Sequence, residues 1–434
     1  MTRLLIKQGT FVTIDENLPE FQGWLAVENG KIAAMGEGEA PQEETARATE
    51  TVDGKGLLFM PGLVNTHGHA AMTLLRGMAD DLVLQDWLQN HMWPTEAKFT
   101  GDDVYWGSAL AAVEMIKSGT TTFVDMYDHS RRVAEMTEAS GLRASLARGV
   151  IGLCSEEEQK AKLEDAIRFA REWHGQADDR IRVMISPHAP YTCPPDFILK
   201  FVEAARELNV PLHTHMSETL AEVEQNVRDY GCRPVEHLDR LGVFGGPALV
   251  AHAVHLNDEE IALLAERKVA VSHNPISNLK LASGVARVPD LLKAGVTVSL
   301  GTDGAASNNN LDLFQEMTTA ALLHKGVSGD PTAVPATEAL RMATLYGARS
   351  IGLEGVVGQL KVGFKADLIA VNIAQAHFVP RTDYVSHLVY SARGSDVVHV
   401  WVDGKQLLRD GRPTTLDEEK IMAEAESRYR RLRA

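Results

Sequence analysis

Eight short runs of apolar and β-branched residues, separated by segments of helical spacing, restrict the possible folds of this chain more than any other feature. The runs are GLLFMPGLVNTHGHA, TTTFVDMYD, RASLARGVIG, IRVMISPHAP, VPLHTHMSE, ALVAHAVHL, VAVSHNP and VTVSLGTDG. The segments between them, such as DDVYWGSALAAVEMIKSG and PDFILKFVEAARELN, carry apolar residues three to four positions apart. A strand followed by a helix, repeated in this way, predicts an α/β fold with a parallel (β/α)8 barrel. An open doubly wound sheet is the alternative, which the absence of a GxGxxG motif after the first strand disfavours.

The two ends of the chain carry a different pattern. RLLIKQGTFVTID, GWLAVENGKIAAMG and ATETVDGKGLLFMPG are short β-prone runs near the start, and KADLIAVNI and VVHVWVDGKQLLRDG repeat the pattern near the end. The dipeptides Asn29-Gly30, Asp53-Gly54 and Asp403-Gly404 are typical of hairpin turns. We therefore expect residues 1–58 and 364–434 to form one composite β-domain and residues 59–363 to form the barrel. The last twenty residues predict a charged amphipathic helix, packed on the surface or on a partner subunit.

Composition limits the partners of the chain. Its 434 residues suffice for one large and one smaller domain, and a net charge of −16 disfavours nucleic acid or an anionic membrane as partner. The three cysteines, Cys154, Cys193 and Cys232, form no CxxC pair, which disfavours a zinc ribbon or a disulfide framework. The start MTRLLIKQGTFVTID lacks the apolar segment of a signal peptide, and no run reaches the length of a membrane span. These features predict a soluble, cytoplasmic protein.

Histidines and acidic residues gather at the predicted strand ends. In chain order these are His67 and His69 (first strand), His188 (fourth), His213, His215 and Glu218 (fifth), His252 and His255 (sixth), His273 (seventh) and Asp303 (eighth). The carboxyl ends of barrel strands meet at one rim, where active sites lie. His67 and His69 are two apart and share a strand face, and Gly68 would let the backbone crowd between them. His215 and Asp303 could complete three nitrogens and one oxygen, a set that zinc accepts.

Each of these positions also has a structural interpretation. His67 and His69 could be polar residues lining a turn, and Asp303 could form an Asx turn among its glycine, serine and asparagine neighbours. His215 lies nearer the strand end than His213, which we interpret as a packed or supporting residue. The order of the whole set along the strands favours a metal site. Seven other histidines, at positions 129, 174, 237, 324, 377, 387 and 399, fall elsewhere and are interpreted as surface or structural residues.

Four segments carry a recognisable motif pattern, namely PGLVNTHGHAAMTLLRG, HTHMSET, SHNPISNLKLASG and GTDGAASNNNLDLFQEM. They resemble the amidohydrolase superfamily, and within it the branch of 5-methylthioadenosine/S-adenosylhomocysteine deaminases. The resemblance implies that both termini build a small β-sandwich beside the barrel. In two-metal members a carboxylated lysine ends the fourth strand, where this chain has His188. The resemblance therefore implies one zinc ion per subunit, held by His67, His69, His215 and Asp303.

The resemblance also implies an activity, namely hydrolytic deamination of the adenine ring of 5′-methylthioadenosine or S-adenosylhomocysteine, with adenosine as a further candidate substrate. Zinc would activate a water, Asp303 would take its proton, His252 would orient it, and Glu218 would protonate N1 of the purine. Glu96 matches a ribose-binding glutamate and Arg148 a basic residue of the substrate site. His188 matches a histidine that binds the purine, and Trp87 could stack on the base, although core or lid packing is the structural alternative.

Other activities remain open from the sequence. A related deaminase or chlorohydrolase for guanine, a pterin or a triazine is one alternative, which Glu96 and Arg148 disfavour because they suit a nucleoside. A non-catalytic scaffold is a remote one, because it would be expected to lack ligands. Lys160 and Lys162 offer no obvious partner for an amino-acid carboxylate, which favours methylthioadenosine over S-adenosylhomocysteine. Iron or manganese also suits the ligand set, and a homo-oligomer is expected.

Overall fold

The first segment of the chain forms part of a β-sheet outside the barrel. A computed structural model describes residues 3–433. The N-terminal strands are β1 (Arg3–Val12), β2 (Glu20–Glu28), β3 (Lys31–Glu37), β4 (Glu50–Asp53) and β5 (Leu57–Pro61). β2 and β3 form an antiparallel hairpin whose turn residues Asn29 and Gly30 have φ of 52° and 75°, which confirms the predicted turn. The hairpin predicted at Asp53-Gly54 is wrong, because β4 and β5 both pair in parallel with β1.

Eight parallel strands form the barrel and confirm the predicted (β/α)8 architecture. They are β6 (Leu63–Asn65), β7 (Thr120–Tyr127), β8 (Arg143–Val150), β9 (Ile181–Pro187), β10 (Leu212–Met216), β11 (Ala248–His252), β12 (Ala270–His273) and β13 (Val298–Leu300). Each strand pairs with the next one in the chain. The first and last strands meet just beyond their ends, where Thr66 N donates to Leu300 O at 3.0 Å. This contact closes the barrel and brings its two edges together.

Helices cover the outside of the barrel. The principal ones are Gly101–Lys117, Ser130–Ser140, Glu156–Trp173, Pro195–Leu208, Leu220–Tyr230, Pro234–Arg240, Asp258–Glu266, Val288–Lys293, Leu313–Ser328 and Ala336–Met342. Shorter helices are Gln42–Arg47, Pro275–Lys280, Ala305–Asn308, Leu345–Ser350 and Tyr384–Tyr390. In the described part of the chain, no helix combines the length and apolar character needed to cross a membrane.

The C-terminal strands complete the N-terminal sheet. They are β14 (Leu368–Asn372), β15 (Val397–Val402), β16 (Lys405–Arg409) and β17 (Arg412–Pro413). β14 pairs with β5, so both termini contribute to one mixed nine-stranded sheet, as expected. Asp403-Gly404 forms the predicted hairpin turn between β15 and β16. Stacked rings of Phe11, Phe21 and Phe59, with centroids 4.8 and 5.2 Å apart, lie in the buried core of this sheet.

A buried ion-pair network joins the sheet to the barrel. Arg143 begins β8, is 2% exposed, and donates to Asp367 at 2.8 Å and to Asp403 at 2.8 Å. Asp367 precedes β14, and Asp403 lies in the β15–β16 turn. Removing one partner of such a network leaves an unpaired buried charge, which is costly. The barrel and the sheet are thereby held in one relative orientation.

The C-terminal helix, Glu418–Arg433, packs against the barrel helix Gly101–Lys117. Arg431 contacts the fully buried carboxylate of Asp103 at 2.5 Å, and Arg428 lies 3.7 Å from the same carboxylate. Leu432 packs with Leu74, which belongs to the turn that follows His69. The last helix therefore supports the segment that carries the first two histidines of the rim.

Candidate active site

A cavity of about 340 Å³ opens at the carboxyl ends of the barrel strands. This volume is in the range of small-molecule sites. Its lining includes His69, Trp87, Glu96, Arg148, His188, His215, Glu218, His252 and Asp303. His67 is fully buried and its ring centroid lies 4.9 Å from that of His69. Nine of the residues singled out from the sequence thus line one cavity.

His67 and His69 lie beyond the end of β6, which stops at Asn65. They continue its direction, because Asp303 N donates to His67 O at 3.0 Å and extends the pairing of the first and last strands. The expectation that Gly68 is needed for lack of room is wrong. A Cβ at this position would lie 3.5 Å from Val124 O and 3.6 Å from Asp303 O, which are ordinary contacts.

One nitrogen of each rim imidazole is fixed by a neighbouring acceptor. His69 Nδ1 lies 2.7 Å from Met126 O, and His215 Nδ1 lies 2.8 Å from His188 O. His67 Nδ1 lies 3.0 Å from His213 Nε2. Carbonyls accept only, so the Nδ1 atoms of His69 and His215 must carry their protons.

The same tautomer follows for His67 through His213. The Leu249 carbonyl lies 2.9 Å from His213 Nδ1, which therefore donates, and His213 Nε2 must accept from His67 Nδ1. His213 is thus a supporting residue behind His67, in the position interpreted from the sequence. Burial lowers the pKa of His67 and of His215 well below the ordinary value, so both rings are neutral. Their Nε2 lone pairs are available to a metal ion.

Asp303 faces these nitrogens. Its Oδ1 lies 3.2 Å from His69 Nε2 and 3.5 Å from His67 Nε2. Its Oδ2 accepts from Ser277 Oγ at 2.6 Å and from Ser307 Oγ at 3.0 Å. One carboxylate oxygen is therefore held by hydroxyls while the other is directed at the histidines.

The donor set is suited to a metal ion. The ligand atoms of His67, His69 and Asp303 lie within 4.8 Å of one another, and so do those of His67, His215 and His252. Among residues 3–433, His67 Nε2 has no hydrogen-bond partner although it is buried. A buried polar atom without a partner is costly unless a ligand satisfies it. Three imidazole nitrogens and one carboxylate oxygen are a set that zinc accepts.

Glu218 and His252 line the cavity beside the candidate metal ligands. Glu218 Oε2 lies 3.7 Å from His252 Nε2, and Ser283 Oγ donates to Glu218 Oε1 at 3.3 Å. Asn278 Oδ1 lies 2.8 Å from His252 Nδ1 and orients that ring. Burial raises the pKa of Glu218, so this carboxyl is biased toward the protonated form that a proton donor needs.

Backbone conformation is unusual at three points around the cavity. Ser217, His252 and Asp303 have φ of 52°, 74° and 61°, in the left-handed region that non-glycine residues rarely adopt. Ser217 directly precedes Glu218, His252 is the last residue of β11, and Asp303 follows β13. Such strain persists only where surrounding contacts hold it, and it is concentrated at functional sites.

Glu222 is a residue of the site that sequence reasoning missed. It is 2% exposed, and its two carboxylate oxygens accept from Ser217 N and Glu218 N, both at 2.8 Å. Burial raises its pKa to about 7. The carboxylate fixes the backbone on which Glu218 stands. The only sequence signal is the spacing of two acidic residues four apart at a helix start, which is common.

Replacing Glu222 with Gln is expected to lower kcat about tenfold at pH 8, where the wild-type carboxylate accepts both N–H groups. The amide offers one acceptor oxygen and turns a donor toward the second N–H, and an unsatisfied buried donor costs about 1–3 kcal/mol. Steady-state kinetics with equal metal content checks this. The exposed Glu224 of the same helix supplies the control, Glu224→Gln. Unchanged kcat in Glu222→Gln would rule out the positioning role.

Glu96 and Trp87 form another wall of the cavity. Tyr127 OH donates to the Glu96 carboxylate. Burial raises the pKa of Glu96, and the Tyr127 hydrogen bond only partly offsets it. Trp87 begins a π-helical stretch, Trp87–Met92, and is 4% exposed. Among the described residues its indole Nε1 has no acceptor, so it can donate to a molecule in the cavity.

Arg148 lies at this end of the cavity but is already paired. It contacts Asp128 at 3.0 Å and Asp165 at 2.8 Å, and it also donates to Gly149 O at 3.0 Å. Neither acidic partner was singled out from the sequence. Two other strand-end histidines, His255 and His273, do not line the cavity.

The comparisons with known proteins agree with this geometry. Residues 58–407 match the sequence model of the amidohydrolase family. The chain is 51% identical over 431 residues to 5-methylthioadenosine/S-adenosylhomocysteine deaminase of Desulforudis audaxviator, with 99% of each chain covered. It is 50% identical over 426 residues to 5′-deoxyadenosine deaminase of Methanosarcina acetivorans, with 98% of this chain and 97% of the relative covered.

A solved structure is also similar over the whole chain. An adenosine deaminase from Xanthomonas campestris with bound zinc superposes with a TM-score of 0.93 at 37% identity, covering 100% of this chain and 99% of that one. The resemblance stated from the sequence motifs is thereby confirmed. By fold, by rim geometry and by full-length similarity, the chain belongs to the amidohydrolase family.

Proposed function

We propose that this chain hydrolyses the amino group of the adenine ring in a 5′-modified adenosine, releasing ammonia and an inosine-type product. 5′-Methylthioadenosine, S-adenosylhomocysteine and 5′-deoxyadenosine are the candidate substrates, since similar proteins carry these names. The observation that carries the proposal is the convergence of three imidazole Nε2 atoms and one carboxylate beside the buried carboxyl of Glu218.

We propose His67, His69, His215 and Asp303 as ligands of one zinc ion per chain. Support comes from the tautomers fixed at His67, His69 and His215 and from the buried, unpartnered Nε2 of His67. The zinc in the similar adenosine deaminase is consistent with this choice. When bound, such an ion supplies Lewis acidity that lowers the pKa of a water molecule at the site.

The protein groups then divide the proton transfers. Asp303 accepts a proton from the attacking water, and His252 Nε2 holds that water by a hydrogen bond. Glu218 donates a proton to N1 of the purine as C6 becomes tetrahedral. The proton held by Asp303 passes to the amino group and ammonia leaves. The hydroxyl at C6 loses its remaining proton, which restores the protonated Glu218, and C6 becomes a carbonyl. A neutral Glu218 suits this step, because burial raises its pKa.

The remaining cavity residues hold the nucleoside. We propose that Glu96, kept in place by Tyr127, accepts hydrogen bonds from the ribose hydroxyls. His188 contacts the purine, and the Trp87 ring lies against the base. Arg148 lies next to the ribose site, because it stands opposite Tyr127 in the β7–β8 ladder. The boundaries of the two domains and assembly as a homo-oligomer stay predictions.

A substrate panel tests the proposal. Metal-loaded protein is incubated with 5′-methylthioadenosine, S-adenosylhomocysteine, 5′-deoxyadenosine, adenosine, guanine and a triazine. Ammonia release and the change in purine ultraviolet absorbance are followed. Turnover of the 5′-modified adenosines is expected. Ammonia from guanine or chloride from a chlorotriazine, with none from any adenosine, would contradict the proposal and support the rival activity.

A further inference from the structure

Each of the three guanidinium nitrogens of Arg148 contacts an acceptor of the protein. Its Nε donates to Asp165, its Nη2 contacts Asp128, and its Nη1 donates to Gly149 O. The Arg148 side chain is 10% exposed, so the guanidinium itself is largely shielded from solvent. An arginine binds a carboxylate best through two parallel N–H groups. Asp165 and Asp128 compensate the charge of Arg148 and occupy two of its three nitrogens.

The two acidic partners differ in how firmly they are held. Asp165 also accepts from Arg131 at 3.0 Å and from Arg168 at 2.6 Å. Burial alone would raise its pKa, but the hydrogen bonds from the three arginines outweigh burial and lower that pKa to about 2. Asp128, by contrast, is 60% exposed and has Arg148 as its ion-pair partner. Asp128 is therefore the partner whose charge can be removed without dismantling the network around Asp165.

Among the described residues, Arg148 and Lys162 are the arginine and lysine that line the cavity. Lys162 Nζ donates to Ile151 O at 3.0 Å and lies 3.5 Å from Cys154 Sγ. A lysine is a single point charge and lacks the fork that grips a carboxylate with two bonds. Lys162 alone is a weaker receptor for an anionic group than an unpaired arginine would be.

This region lies where the 5′ substituent of a nucleoside would extend. Asp128 directly follows Tyr127, which holds Glu96, and Arg148 stands opposite Tyr127 in the adjacent strand. Glu96, Asp128 and Arg148 line the same cavity, so the 5′ substituent of a ribose held at Glu96 would come within reach of the Asp128–Arg148 pair. Asp128 would meet an incoming carboxylate with like charge.

We propose that Asp128 is a specificity-determining residue that neutralises Arg148, so that the site prefers adenosines with an uncharged 5′ group over those bearing a carboxylate. This inference rests on the proposed function and refines its substrate class. 5′-Methylthioadenosine and 5′-deoxyadenosine carry uncharged 5′ groups, whereas S-adenosylhomocysteine carries an amino-acid carboxylate. Specificity of this kind arises from repulsion and occupied charges as much as from attraction.

The test compares kcat/KM for 5′-methylthioadenosine and S-adenosylhomocysteine in the metal-loaded wild type, Asp128→Asn and Asp102→Asn. Asp102 is a matched control because it pairs with Arg132 on the surface and is 67% exposed. The wild type is expected to prefer 5′-methylthioadenosine about tenfold or more. Asp128→Asn is expected to reduce that preference about fivefold, mainly through a lower KM for S-adenosylhomocysteine. Asp102→Asn keeps the wild-type ratio.

The ratio of the two substrates cancels differences in the fraction of folded enzyme. An active Asp128→Asn variant with the wild-type ratio would overturn the inference, and so would a wild type without preference. Lys162→Met adds a second check: a selective loss of S-adenosylhomocysteine turnover beyond threefold would show that Lys162 already receives the carboxylate, against the inference. If the wild type turns over neither of these two compounds nor 5′-deoxyadenosine, the proposed function itself is refuted.

Discussion

Replacing His215 with Ala is expected to lower kcat/KM at least a thousandfold and to reduce bound metal well below one ion per chain. The variant removes one of three nitrogen donors. The orientation of this His215 ring is fixed by the His188 carbonyl. Loss of a metal that activates the nucleophile removes several kcal/mol of transition-state stabilisation. Ammonia release and elemental analysis of the purified protein measure both effects.

The wild type provides the complementary measurement. Treatment with a chelator is expected to abolish turnover, and about one equivalent of zinc is expected to restore it. His174→Ala serves as the control, because His174 is exposed at the end of the helix Glu156–Trp173. Two ions per fully active chain would contradict the single-metal proposal. Full activity of a metal-free protein would contradict the metal altogether.

Replacing Glu218 with Gln is expected to lower kcat by about 10²–10⁴, the range for a lost general acid, while metal content stays at the wild-type level. Gln keeps the size of the side chain and can still contact Ser283, but it has no carboxyl proton to give. Because Glu218 is 4% exposed, water is a poor substitute donor. Kinetics and elemental analysis on one preparation separate the two effects.

The outcome for Glu218→Gln discriminates between roles. A variant that loses metal would place Glu218 in the metal-binding set, and a variant that keeps more than a tenth of the wild-type kcat would exclude it as the proton donor. Glu224→Gln again serves as the control on the same segment. Thermal unfolding of both variants checks that the barrel is intact.

The barrel and the rim residues were predictable from the sequence for one physical reason. Parallel strands end at a common edge, so residues far apart in the chain, such as His67, His215 and Asp303, must come together once the strand pattern is recognised. The spacing of His67 and His69 correctly predicted that both belong to one site, although β6 ends before them. Hydrogen bonds to residues at and after the end of β13 continue the direction of β6 through His67.

The rest depended on contacts that no local pattern encodes. The support of Glu218 by Glu222 depends on how a helix starts after β10, and the pairing of Arg148 depends on two residues from different elements. Asp53-Gly54 has the composition of a hairpin turn, but β1 offered a pairing partner for each flanking strand. Gly68 was also misinterpreted. Glycine between two histidines suggested a lack of space, but the position has room for a Cβ.

The contact of the C-terminal helix with the barrel affects the synthesis of the chain. Arg431 and Asp103 are 328 positions apart, and Asp103 emerges from the ribosome long before its partner. At about 5–20 residues per second, the interval lasts on the order of tens of seconds. Throughout it, the apolar surface around Leu74 lacks the helix that later covers it. The nascent chain therefore passes through a prolonged stage in which this apolar surface favours aggregation. We expect chaperones to bind ribosome-attached chains that lack the last helix.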